Sequence, residues 1–165
     1  GNFFDISDED WQRSFDINLM AAVRLTRLFI PSLRHSGSPS IINISSIAAE
    51  RPVEVIPHYN AMKAALSNWS QSLAQTLAPD KIRVNTVSPG PVWTRSWENE
   101  ARAYAKSSGQ EYANVAADIR AQRQSSLLLK RMGTPEDVVG MVLLLASDHT
   151  SWITGTDIRV DGGST

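Results

Sequence analysis

Residues 40–45, Ser40-Ile-Ile-Asn-Ile-Ser45, read as a short buried strand entered from a turn at Gly37 and Pro39. On its N-terminal side the spacing predicts one helix from about Glu9 to Arg34. Ser7 stands at the N-cap, and acids fill the first turn, where the helix dipole favours them. Trp11, Phe15, Ala22, Leu25, Phe29 and Leu33 fall on one apolar stripe at helical spacing. Asn18 lies within that stripe, so its amide is expected to be buried and to need partners. Pro31 is expected to kink or end the helix. On the other side of the strand a loop runs through Arg51-Pro52 to Pro57, and a second helix spans Tyr59 to about Leu77, stopping before Pro79.

The same alternation continues. Ile82-Arg-Val-Asn-Thr-Val87 is a second strand, and Gly155-Thr-Asp-Ile-Arg-Val160, closed by Asp161-Gly162-Gly163, is a third. Thr134-Pro135-Glu136-Asp137 opens a helix over Pro135–Ala146, with Thr at the cap, Pro at the first position and acids behind it. Residues 95–131 are polar and poorly periodic and are expected to form short helices. Helices alternating with short apolar strands give an α/β fold with a parallel sheet. Three strands make a thin sheet with edges to manage, so the chain reads as part of a larger doubly wound one.

The 165 residues fit a single domain. Hydrophobic residues make up 42% and charged residues 20%, ordinary values for a globular protein. Sixteen Lys and Arg against seventeen Asp and Glu give a net charge of -1, which argues against a polyanion or nucleic-acid binder. The absence of cysteine excludes disulfides, thiolate metal sites and cysteine nucleophiles. His35, His58 and His149 have no ligand spacing, so no metal is expected. No apolar run approaches the roughly 20 residues that span a bilayer, so no membrane partner is expected either. Gly1 to Asp10 carries acids and no basic n-region, unlike a secretory signal, and a cytoplasmic location is expected.

The stretch that carries chemistry is Tyr59-Asn-Ala-Met-Lys63. Residues four apart on a helix share a face. An ammonium beside a phenol stabilises the phenolate, which suits general acid or base work on a hydroxyl or carbonyl. Ser45-Ser46 closes the first strand, Ser46 standing thirteen residues before the tyrosine. Ligands of open α/β sheets bind beyond the carboxyl ends of the strands, so a serine there can bond the same substrate oxygen. Asn18 could hold a water that links to Lys63. Each feature alone has a plainer reading: a helix surface pair, a polar strand end, a self-satisfied amide.

Taken together, the pieces resemble the classical short-chain dehydrogenase/reductase family along essentially the whole chain. They are Asp16-Ile-Asn18, Ile42-Asn-Ile-Ser-Ser46, Tyr59-Asn-Ala-Met-Lys63, Ile82-Arg-Val-Asn85, Ser88-Pro-Gly90-Pro-Val-Trp-Thr94, Thr134-Pro-Glu-Asp137 and Ile153-Thr-Gly155 through Val160-Asp-Gly-Gly163. The resemblance implies a Rossmann-like doubly wound parallel sheet, of which the C-terminal half, about three strands with their helices, is present. It also implies an oxidoreductase that interconverts an alcohol and a ketone by hydride transfer with NAD or NADP. In that family's terms Tyr59 is the general acid/base, and Lys63 favours its phenolate form and bonds the nicotinamide ribose. Ser46 orients the carbonyl, with Ser45 the lesser candidate. Asn18 holds a relay water and bends its helix. Pro89 and Gly90 shape the loop after the second strand, the Val92 backbone bonds the carboxamide, and the Thr94 hydroxyl bonds the carboxamide or pyrophosphate. The substrate is a small molecule under a lid formed by Thr94 to Arg131, and helices 9–34 and 59–77 join subunits into a homodimer or homotetramer.

One family element is missing. The nine glycines, at 1, 37, 90, 109, 133, 140, 155, 162 and 163, contain no G-x-G, so the dinucleotide fingerprint is absent from these residues. The strand at 40–45 is therefore expected to have a bare edge, beside a contiguous exposed apolar surface. The alternative reading is a non-catalytic binding or oligomerisation module that keeps the pairing helices and lacks nucleotide binding. Relatives that use Ser and Tyr without a cofactor, for halide or epoxide chemistry, carry Arg in place of the lysine, whereas Lys63 stands here.

Overall fold

The computed structural model describes residues 3–164. The chain forms two compact units: residues up to Ser88 with Met141–Arg159, and Pro89–Gly140 with the residues from Val160 on.

In the first unit, helix α1 (Asp8–Phe15) starts from a reciprocal cap, in which the Asp10 N–H donates to Ser7 Oγ and the Ser7 N–H to Asp10 Oδ2, each at 3.2 Å. The helix does not run unbroken to Arg34. It widens into a π turn at Asp16–Met20, where the Ala21 N–H reaches back to the Asp16 carbonyl, and resumes as α2 (Ala21–Leu33). Asn18 sits inside the π turn and donates its amide to the Ser14 carbonyl at 3.2 Å, giving that carbonyl a side-chain partner. Its side chain is half-buried rather than sealed in a core. Pro31 stays inside α2, close enough to its end that the missing N–H does not stop the last turn.

The strands β1 (Ser40–Ile44), β2 (Arg83–Pro89) and β3 (Asp157–Val160) lie in the order β1-β2-β3. β1 and β2 are parallel, with Ser40 opposite Arg83 and Ile44 opposite Val87. β2 is buried along almost its whole length, as a central parallel strand requires. Helix α3 (Pro57–Leu77) begins two residues earlier than expected because Pro57 takes the first helical position, where a missing N–H costs nothing. Leu73, Ala74 and Leu77 of α3 form the core with Ile82 and Val84, flanked by Ile30, Leu33, Ile41 and Trp69.

Arg83 is the notable buried charge. Its guanidinium donates to the carbonyls of Leu145 (2.8 Å), Thr150 (3.2 Å) and Ser147 (3.2 Å). Ser147 and Thr150 lie just past the C-terminus of α6 (Pro135–Ala146), so the negative end of that helix compensates the cation.

β1 pairs only with β2 among the described residues. Beside its open edge, Leu25 and Phe29 of α2 are 55% and 54% exposed and Ile17 is 61% exposed, so this half of the apolar stripe is not core. These residues and Ile41–Ile44 line a groove of about 450 Å³. The bare edge and the apolar surface expected from the sequence are both present.

In the second unit, α4 (Arg95–Ser108) and α5 (Tyr112–Ser125) are longer than the short helices expected over 95–131. They pack through Ala101, Ala105, Val115 and Ala116, with Trp93, Tyr112 and Ile119 at the margin. Gly109 takes the left-handed conformation that closes α4. At Thr134 the N–H donates to Asp137 Oδ2 at 2.7 Å, and Arg131 grips the same carboxylate through two bonds of 2.6 and 2.7 Å.

Candidate active site

Tyr59 and Lys63 occupy the first turns of α3, one helical turn apart. The Lys63 ammonium stands 5.5 Å from the centre of the Tyr59 ring. It also donates to the Ile44 carbonyl, the last of β1, at 2.9 Å. Burial holds the Lys63 pKa below the ordinary lysine value. Nothing in the sequence marks Ile44 as a partner, because a main-chain carbonyl leaves no trace in residue type.

The two serines at the end of β1 divide their roles. Ser45 is buried and committed: its hydroxyl donates to the Lys63 carbonyl at 3.0 Å and accepts from Ser67 Oγ at 2.8 Å. Those bonds fasten the strand end to α3. Ser46 is half-buried and caps the short turn Ile47–Ala49, accepting from the Ala48 N–H at 3.1 Å. Because that bond uses a lone pair, the Ser46 O–H remains free to donate to a ligand.

Asn18 lines two hollows. With Tyr59, His58, Asp10 and Arg13 it lines a cleft of about 300 Å³, and with Lys63 it lines the groove along β1. Asn18, Tyr59 and Lys63 are thus neighbours around the same end of α3. No direct hydrogen bond joins the side chains of Asn18, Ser46, Tyr59 and Lys63 to one another among the described residues.

The other expected ligand contacts, Pro89, Gly90, Val92 and Thr94, belong to the second unit. Gly90 donates its N–H to the Val160 carbonyl at 3.0 Å. A Cβ on Gly90 would lie 2.6 Å from the Asp161 Cα, so glycine is required here by the chain's own Asp161. Val92 forms a parallel bridge with Gly133. That bridge uses the neighbours' groups, Trp93 N–H to Gly133 O at 2.8 Å and Gly133 N–H to Pro91 O at 3.0 Å, and leaves the N–H and C=O of Val92 unspent. Thr94 is the N-cap of α4, yet its hydroxyl makes no capping bond. The backbone polar groups of Val92 and the hydroxyl of Thr94 therefore make no protein hydrogen bond among the described residues. Among the described residues no group of three or more His, Asp or Glu is placed to hold a metal, and no helix is long and apolar enough to cross a membrane.

Comparison with known proteins gives the family and the fold likeness. Residues 1–165 match the family model described as enoyl-(acyl carrier protein) reductase. The chain is 35% identical over 162 residues to the uncharacterized oxidoreductase YvrD of Bacillus subtilis, covering 98% of this chain and 62% of that protein. It is 33% identical over 168 residues to dehydrogenase/reductase SDR family member 4 of Sus scrofa, covering 99% and 54%. In structure it resembles L-sorbose reductase of Gluconobacter frateurii, solved with NADPH and L-sorbose, with a TM-score of 0.91 and 32% identity over 99% of this chain and 61% of the other. It also resembles the ligand-free aldohexose dehydrogenase of Thermoplasma acidophilum, with a TM-score of 0.90 and 30% identity over 99% and 62%. The chain thus spans 54% to 62% of the length of these relatives.

Proposed function

Since the chain belongs to the short-chain dehydrogenase/reductase family, we propose that it is the catalytic portion of an NAD(P)-dependent oxidoreductase that interconverts an alcohol and a ketone. The observation that carries this reading is the Lys63 ammonium 5.5 Å from the Tyr59 ring, beside the serine-tipped end of β1. In reduction Tyr59 gives its phenolic proton to the carbonyl oxygen, and in oxidation it takes the proton from the hydroxyl. Ser46 donates its free O–H to the same oxygen. Lys63 stabilises the phenolate and bonds ribose hydroxyls, and Asn18 holds a water at the Lys63 side. The nicotinamide, when bound, supplies or accepts the hydride. The unspent Val92 backbone groups would take its carboxamide, with Thr94 beside them and Pro89 and Gly90 shaping the loop. The relative solved with NADPH and L-sorbose supports a small-molecule ketone or alcohol as substrate.

Helices α1–α3 are proposed to pair copies into a dimer or tetramer. This rests on the exposed Ala61, Asn68 and Ser72 along α3 and on Leu28, 71% exposed, on α2.

Two measurements test the reading. Titration of this chain with NADH and NADPH separates it from a non-catalytic pairing module, because tight binding rules the module out. In protein that binds the cofactor, Tyr59→Phe is expected to abolish hydride transfer while leaving binding nearly intact. Full turnover by that variant would refute the role of Tyr59.

A further inference from the structure

Trp93 stands between the two residues whose polar groups are left open, Val92 and Thr94. Its backbone N–H is fixed to Gly133 O at 2.8 Å. Its side chain turns into the α4–α5 hairpin, where it packs against the Ala101, Ala105, Val115 and Ala116 core. There the Arg120 guanidinium of α5 lies 3.8 Å from the ring centre, and the Trp97 ring of α4 stacks at 6.4 Å with 22° between planes. Arg123 extends the row, 5.3 Å from the centre of the Trp97 ring. A guanidinium this close to an indole face is well inside the range of cation–π attraction, and tryptophan is its best partner. The Trp93 Nε1 is buried with no partner, so the ring is held by packing and by the arginine face rather than by a hydrogen bond.

We infer that the Arg120–Trp93 stack is a positioning device that locks the Pro91–Thr94 loop to the α4–α5 hairpin, so that the hairpin sets the aim of the Val92 and Thr94 groups toward a carboxamide. The ligand part rests on the function proposed above, whereas the lock itself does not. Two attachments hold the loop, the Gly133 bridge on the main chain and the Trp93 plug on the side chain. Only the second comes from the hairpin. By thermodynamic reciprocity, a ligand that fixes Val92 and Thr94 also restrains α5.

The experiment is hydrogen exchange on this chain with and without NADPH, for the wild type, Arg120→Gln, Arg120→Lys and Trp93→Phe. In the unliganded chain, Arg120→Gln is expected to speed exchange of the Trp93 and Gly133 amides about five- to tenfold, the size of one cation–π contact made by a half-buried arginine. The amides of Ala101, Ala105 and Val115 should keep their protection. Arg120→Lys, which keeps the cation, should recover part of the loss, and Trp93→Phe, which keeps the plug with a weaker π face, should fall between. Unchanged exchange at 93 and 133 in both Arg120→Gln and Trp93→Phe overturns the lock. So does equal loosening of hairpin and loop, which would make Arg120 a general helix stabiliser. With NADPH, Arg120→Gln should raise the Kd about fivefold, the same contact read through binding, and the wild type should gain protection in α5. An unchanged Kd overturns the aiming role. Absence of NADPH binding by the wild-type chain overturns the aiming role in this chain, Tyr59→Phe turnover still decides the proposed function, and the unliganded arm still decides the lock.

Discussion

The Lys63 ammonium is shared between the Tyr59 ring, 5.5 Å from its centre, and the Ile44 carbonyl, 2.9 Å away at the end of β1. One cation thus ties the proposed proton donor to the last residue of the strand that Ser45 and Ser46 follow. Its proposed duty is to the phenol, while its N–H bond holds the strand end, and different substitutions separate the two. Lys63→Met removes both and is expected to lower kcat about a hundredfold, the usual scale of a lost acid–base partner. Lys63→Arg keeps charge but not the compact ammonium, and should keep the fold while losing much of the rate. Steady-state kinetics beside thermal denaturation tells the two apart.

Gly90 has no room for a side chain, because an added Cβ would meet the Asp161 Cα at 2.6 Å, its Cβ at 2.8 Å and its carbonyl oxygen at 3.0 Å. Backbone cannot yield as a flexible side chain can. Gly90→Ala is expected to destabilise the protein by about 1–3 kcal/mol. Urea denaturation would show this, and a midpoint equal to the wild type would contradict it.

Arg83 is buried and holds three carbonyls near the end of α6. Arg83→Met fills similar space but leaves those oxygens without their donor, at a cost of roughly 1–3 kcal/mol. Arg83→Lys supplies one ammonium for a site shaped to a planar fork and should recover only part of this. Calorimetry on the three proteins gives the ranking directly.

Asp137 accepts two bonds from Arg131 and one from the Thr134 N–H, and the guanidinium holds its carboxyl well below the usual carboxylate range. A depressed folded-state pKa stabilises the protein at pH values above the unfolded pKa and loses that contribution as pH falls through the folded one. Melting temperatures should therefore fall on acidification below about pH 4, the ordinary carboxylate value. In Asp137→Asn the curve should start lower at neutral pH and fall less steeply. Parallel curves for the two proteins would argue against the linkage.

The groove beside β1 exposes Leu25, Phe29 and Ile17 next to an unpaired strand edge. Such an edge templates association. The double variant Leu25→Lys, Phe29→Glu should reduce self-association of this chain, read by light scattering, with little change in stability because both side chains are already more than half exposed.

Much of this arrangement was legible in the sequence. The strand at Ser40–Ile44 and the starts of the helices at Ser7 and Thr134 follow from local chemistry: a short apolar run, at Ser7 a hydroxyl that accepts an amide proton, and at Thr134 an N–H that donates to the acid three residues on. Tyr59 and Lys63 were legible because helical spacing alone brings them together. The π turn was not, since no residue type in Asp16–Met20 marks an extra residue in a turn; a bend at Asn18 was implied by the family resemblance alone. An exposed apolar surface beside the strand was expected, but not that Leu25 and Phe29 form it, because periodicity reports an apolar face without saying what covers it. The cleft that gathers Asn18 with Tyr59 depends on the packing of α1 and the π turn against α3, which no local pattern records.

The extra residue in the turn at Asp16–Met20 has a geometric result. Each residue of an ordinary helix advances the side-chain direction by about 100°. A one-residue insertion therefore rotates everything downstream by that amount, and it separates α1, which packs on α3, from α2, which packs on β1. A single long rod is divided into two segments that serve different neighbours, with Asn18 at the pivot between them. Shortening the pivot by one position would swing Leu25 and Phe29 off the strand and carry Asn18 out of reach of the tyrosine in the same movement.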